Sequence, residues 1–171
     1  MPVYRVVSYI LLGIAGILSL FDLIGLLVSL ANPAGFLGVF ILTGVIIYTA
    51  TSFYFSREGV QKGRVLKKSL RDWIRVNAFV AIFFGVMSIA DCITFLAQPK
   101  MVDDVYKEMI RMQPAYAKAG VTKESLAHLL NGVIIFLVIY CVLLLAHIVV
   151  TFALLKKNRQ VFGNISTNQP N

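Results

Sequence analysis

Charged residues leave four long gaps in this sequence, Val6–Leu30, Phe36–Phe55, Val76–Leu96 and Leu129–Leu155, interrupted only by Asp22 and Asp91. An α-helix rises about 1.5 Å per residue, so about 20 apolar residues cross the roughly 30 Å of a bilayer's hydrocarbon. Each gap therefore predicts a transmembrane helix. A membrane β-barrel would alternate apolar and polar residues in segments of about ten, and none of the four runs does so. The pattern predicts an all-α fold: a polytopic membrane protein with four transmembrane helices in an up-down bundle, built from two tandem helical hairpins over residues 1–160. The polar stretch 161–171, with Gly163, Pro170 and several asparagines, predicts a disordered tail.

The segments between the gaps carry their own signals. Asn32-Pro33-Ala34-Gly35 is a short turn, with proline placed to stop one helix before the next begins. In the loop 56–75, Val65, Leu66, Leu70 and Trp73 recur at roughly helical spacing, which predicts a segment lying along the membrane surface with Trp73 among the headgroups. In the loop 97–127, Val105, Met109 and Met112 predict a helix from Asp103, as N-cap, to Met112, closed by Pro114. Thr122 is the expected N-cap of the fourth helix, with Glu124 in its first turn.

Composition supports a lipid solvent: 58% of residues are hydrophobic and 14% charged, against about 25% charged in soluble domains. The net charge of +8 could suggest nucleic acid, but the basic residues gather at span ends. Arg5, Arg57, Lys62, Arg64, Lys67, Lys68, Arg71, Arg75, Lys156, Lys157 and Arg159 fall on one side, and Lys100, Lys107, Arg111, Lys118 and Lys123 on the other. The positive-inside bias then predicts cytoplasmic N- and C-termini, a cytoplasmic 56–75 loop and an outer 97–127 loop, in a multi-pass cell membrane protein of the bacterial inner membrane type, with no nucleic-acid partner. Lys62, Arg64, Lys67, Lys68, Arg71 and Trp73 are the candidates for contact with anionic lipid headgroups. A cleaved signal peptide is the poorer reading, because the first run greatly exceeds an h-region of about 7–15 residues.

Candidate chemistry is confined to a few polar positions within the spans. Gly16, Ser19 and Asp22 in the first run align with Gly85, Ser88 and Asp91 in the third, which predicts an internal repeat of two parallel hairpins. An intramembrane aspartate costs about 2.5–3.5 kcal/mol on insertion scales, so its recurrence carries more weight than matched leucines. Helical rotation puts Ser19, Asp22, Gly25 and Ser29 on one arc, and Ser88, Asp91, Thr94 and Gln98 on another; both stripes are expected to face other helices. Counting from the basic ends brings Thr43 and Tyr140 near the level of the two aspartates, so a hydrogen-bonded layer of Asp22, Asp91, Thr43 and Tyr140 is the expected arrangement. Two carboxylates facing each other without a cation cannot both carry charge cheaply. They are therefore candidates for a proton, cation or cationic-substrate site, or, more simply, for hydrogen bonds between helices.

His147 lies about 13 Å in from the basic end of its helix, below that layer, and is expected to be a core histidine bonded to a serine or threonine, with a proton relay as the alternative. Cys92 and Cys141 fall within spans and read as packing residues. No metal-ligand spacing, nucleophile motif or phosphate loop is present, so neither a cofactor nor an enzyme is expected. Two functions follow as expectations: a non-enzymatic accessory, assembly or scaffold subunit of a homo-oligomer or membrane complex, and a small proton- or cation-coupled transporter or channel using the paired aspartates.

Overall fold

The computed structural model describes residues 2–98, 100–118 and 120–163. Its elements are α1 (Pro2–Ala31), α2 (Phe36–Tyr54), α3 (Lys68–Ala97), α4 (Lys100–Met112), α5 (Ala115–Lys118) and α6 (Lys123–Lys157). Four helical stretches, Val3–Ala31, Pro33–Gln61, Lys68–Ala97 and Lys123–Lys157, are long and apolar enough to cross a membrane. The fold is all-α, as the apolar runs predict, and the chain has the character of a multi-pass membrane protein.

Two compact units make up the chain, one of Met1–Gly85 with Leu143–Asn171, the other of Val86–Val142. The first is a closed antiparallel bundle. α1 and α2 pair through Tyr9 against Phe53, with ring centroids 5.1 Å apart, and through Asp22 and Thr43. On a neighbouring face of α2, Gly44 meets α3 so closely that a Cβ there would lie 2.6 Å from Val80 Cγ1. Phe79 of α3 packs on Phe152 of α6, and Tyr4 and Ser8 of α1 bond to Thr151 and His147 of α6, completing the ring. The turn between α1 and α2 forms as expected: the Asn32 side chain accepts from the Ala34 N–H at 3.2 Å, and a side chain at Gly35 would strike the Ser29 hydroxyl.

At the basic end the structure corrects the sequence reading. The segment before the third span is not a separate surface helix. α3 itself begins at Lys68, because Leu70 and the fully buried Ile74 continue the apolar face of the span, and Trp73 stands exposed on that helix. α2 likewise runs on through a π-helical turn, Phe55–Gln61. The start of the supposed disordered tail is also ordered: Leu66 N–H donates to Val161 C=O at 2.7 Å, and the Phe162 ring stacks on Phe55 at 5.3 Å. The apolar pair Val161–Phe162 thus has a docking surface, while the rest of the tail, 164–171, lies outside the described residues.

The second unit holds the far halves of α3 and α6 with α4 and α5. α4 starts at Lys100, so Asp103 sits inside its first turn and not at the cap; its carboxylate pairs with Lys123 at the start of α6. That ammonium holds the Asp103 carboxyl below its ordinary range, by a hydrogen bond first and by charge second. Thr122 does cap α6, its hydroxyl accepting from the Ser125 N–H at 3.2 Å.

Candidate functional site

The most organised polar group in the first unit surrounds His147, on the face of α6 that meets α1 and α2. His147 and Thr151 are one helical turn apart, as are Tyr4 and Ser8, so each helix offers two polar groups on one face. The His147 ring is buried, stacked on Tyr4 with centroids 4.6 Å apart and planes 3° from parallel. Its Nε2 lies 2.9 Å from Ser8 Oγ and its Nδ1 2.9 Å from Tyr48 Oη. The Tyr48 hydroxyl also donates to Thr151 Oγ1 at 3.1 Å, which is 3.0 Å from Tyr4 Oη. Thr151 donates to His147 C=O and Ser8 to Tyr4 C=O, both at 2.8 Å.

Those six contacts need six polar protons, whereas four hydroxyls and a neutral imidazole supply five. In the neutral network one contact therefore lacks its proton, and moving the gap between the Ser8 and Tyr48 sides exchanges the imidazole tautomers. The expected serine partner of His147 is present, and the tyrosines and Thr151 add a relay of hydroxyls that the sequence reading missed. Their signal was the i, i+4 repetition of polar residues in otherwise apolar runs.

Of the four groups expected in one layer, the structure joins two. Thr43 Oγ1 donates to Asp22 Oδ2 at 2.6 Å, linking α1 to α2. Asp22 Oδ1 is buried and has no hydrogen-bond partner among the described residues. Ser19 is exposed, its hydroxyl turned back to Gly16 C=O at 2.7 Å. In the second unit Tyr140 is buried with its hydroxyl unpartnered among the described residues, and Ser88 is half-buried.

Asp91 does not face a neighbouring helix. It is exposed, as are Thr94 and Gln98 on the same stripe, and no hydrogen bond reaches its carboxylate among the described residues. Thr94 instead donates to Ala90 C=O at 2.9 Å. The expectation that both stripes turn inward rested on the absence of partners in lipid; on α3 the Asp91 carboxylate finds no partner among the described residues. Cys92 and Cys141 are buried free thiols.

The basic end has a different organisation. The Glu58 carboxylate, 10% exposed, takes Lys62 Nζ at 2.6 Å and Arg64 Nη1 at 2.7 Å, with Arg57 Nε 3.8 Å away. Arg64 N–H also donates to Glu58 C=O at 3.0 Å, so one acidic residue folds the basic loop around itself. Lys62 and Arg64, expected at lipid headgroups, are thus partly committed within the chain. Lys67, Lys68 and Trp73 remain exposed, and Arg71 is half-buried beside Asp72 at 3.5 Å.

No protein-family model, curated protein or solved structure matches this chain.

Proposed function

We propose that this chain is a non-enzymatic accessory, assembly or scaffold subunit of a membrane complex, in which a partner helix covers the face of α3 bearing Asp91. The observation that carries this reading is the exposure of Asp91, six residues from the Ala97 end of an apolar helix and so about 9 Å inside it. A carboxylate turned to lipid is costly, about 2.5–3.5 kcal/mol on insertion scales, and such groups pair with other polar groups or meet water. A neighbouring helix that brings a hydroxyl, amide, imidazole or basic group to that depth removes most of the cost and fixes the register of the pair. A second copy of the chain is chemically adequate as that neighbour. Its exposed His128 and Asn131 stand about 8–12 Å inside the Lys123 end of α6.

The basic end faces the cytoplasm by the positive-inside rule, in a cell membrane of the bacterial inner membrane type. There Lys67, Lys68 and Trp73 meet anionic headgroups, each basic residue contributing about 1 kcal/mol near such a surface. A second reading, a proton- or cation-coupled transporter or channel, draws support from the unpartnered Asp22 Oδ1.

Particle size and co-purifying proteins in mild detergent separate the two. Asp91→Asn keeps a hydrogen-bonding group and should keep the assembly, whereas Asp91→Leu should release a smaller, still folded species. In liposomes the double variant Asp22→Asn, Asp91→Asn should show the same ion flux as wild type. A wild-type chain that runs alone, or an assembly indifferent to Asp91→Leu, would contradict the subunit reading; loss of a measurable flux in the double variant would favour transport.

A further inference from the structure

Next to the α1–α2 turn, the first unit contains a cavity of ≈ 540 Å³ whose wall is mostly apolar and whose one ionisable group is Asp22. Pockets of roughly 300–1,000 Å³ are the size that receives small organic ligands. Gly25, Gly35 and Gly38 line the cavity without side chains, and a Cβ built on Gly38 would meet no atom within 4 Å. Its rim residues Phe21, Ile24 and Val28 are exposed, so it opens toward the apolar phase and not through an aqueous channel.

The carboxylate in this cavity is held in one orientation and left half used. Thr43 fixes Oδ2 at 2.6 Å, while Oδ1 is buried without a donor. No cation among the described residues of the unit completes it. Asp22 is the only charged residue between Arg5 and Arg57. His147 is engaged by Ser8 and Tyr48, and Arg75, the nearest basic residue before Phe84 of the cavity wall, is nine residues earlier on α3, about 13 Å away along the helix. A divalent metal is a poor complement, because calcium takes about 6–8 oxygen ligands and the wall offers mainly carbon. A group that brings both a positive charge and an N–H, on an apolar body, complements both the carboxylate and the wall.

We propose that this cavity binds a membrane-partitioned primary alkyl- or arylammonium ion, its N–H donating to the Asp22 carboxylate and its apolar body lying between α1 and α2. The site is independent of the partner surface on Asp91, and either can exist without the other.

The test uses the full chain in lipid nanodiscs with tritiated 2-phenylethylammonium as the probe. Wild type should bind it saturably, with little competition from neutral 2-phenylethanol and weaker competition from the trimethylammonium analogue, which has no N–H. Asp22→Asn, which retains an acceptor for Thr43, should weaken binding about tenfold or more, the factor expected for losing one charge-assisted hydrogen bond. Gly38→Leu fills open space and should abolish binding in a folded protein, while Asp91→Asn should bind as wild type does. Absence of saturable binding in wild type, equal competition by the alcohol, or unchanged binding in either Asp22→Asn or Gly38→Leu would overturn the proposal.

Discussion

Tyr48 illustrates what a single side chain contributes inside this bundle. Its buried hydroxyl bridges His147 Nδ1 and Thr151 Oγ1, so Tyr48→Phe removes two contacts and leaves an imidazole nitrogen without its partner. Hydrogen bonds between membrane helices average about 0.6 kcal/mol, and an abandoned buried polar group costs about 1–3 kcal/mol. Tyr48→Phe is therefore expected to lower stability by about 1–2 kcal/mol in a reversible SDS unfolding titration. Tyr9→Phe, at an exposed ring that touches Phe53 by its edge, should change it little. At this scale the sequence was partly legible. Counting residues from the charged ends brought Asp22 and Thr43 to one level, and the structure bonds them. The outward turn of Asp91 was not legible, because helical periodicity says which residues share a face but not what that face meets. The aligned aspartates of the two spans accordingly have different surroundings.

The helices pack where small residues allow it, and one glycine sets the closest approach. A Cβ on Gly44 would press on Val80 Cγ1 at 2.6 Å, whereas one on Gly13 would meet nothing within 4 Å. Gly44→Leu is expected to destabilise the bundle by about 1–3 kcal/mol, the usual range for overpacking, and Gly13→Leu to leave it unchanged in the same SDS titration. The ends of the elements were less legible than their middles. Lys68–Arg75 looked like a surface segment because its charges break the apolar run, yet Leu70 and Ile74 continue the buried face and the helix passes through. Asp103 looked like a cap because capping is local, but the stronger attraction was to Lys123, which is distant in sequence.

That pair gives the α4 element a pH dependence. The Asp103 carboxyl is lowered in the folded chain, so its contribution is complete above the ordinary aspartate value and is lost as pH falls through the lowered one. Hydrogen exchange over Met101–Met112 should be slower in wild type than in Asp103→Asn at about pH 6, and the difference should shrink steadily as pH falls below the ordinary aspartate value of about 3.9.

For the whole molecule, length and hydropathy pick out the four helices long and apolar enough to cross a membrane, since about 20 apolar residues have few other uses in a helix. They could not reveal the cap at the basic end, which depends on Glu58 gathering Lys62 and Arg64 and on Val161–Phe162 returning to Leu66 and Phe55. Nor could they distinguish lipid-facing from partner-facing surface, because both are apolar in a membrane. In the proposed reading the distinction falls at the exposed Asp91, and the central claim is that this face is covered by another helix. Site-specific photocrosslinking in native membranes addresses that claim most directly, with a photoreactive residue at Thr94, beside Asp91, and another at Val149, 69% exposed on α6, for comparison. The account predicts a discrete protein adduct from position 94, lost when Asp91→Leu is added, and only lipid adducts from position 149. Lipid adducts alone from position 94, indistinguishable from those at 149, would contradict it.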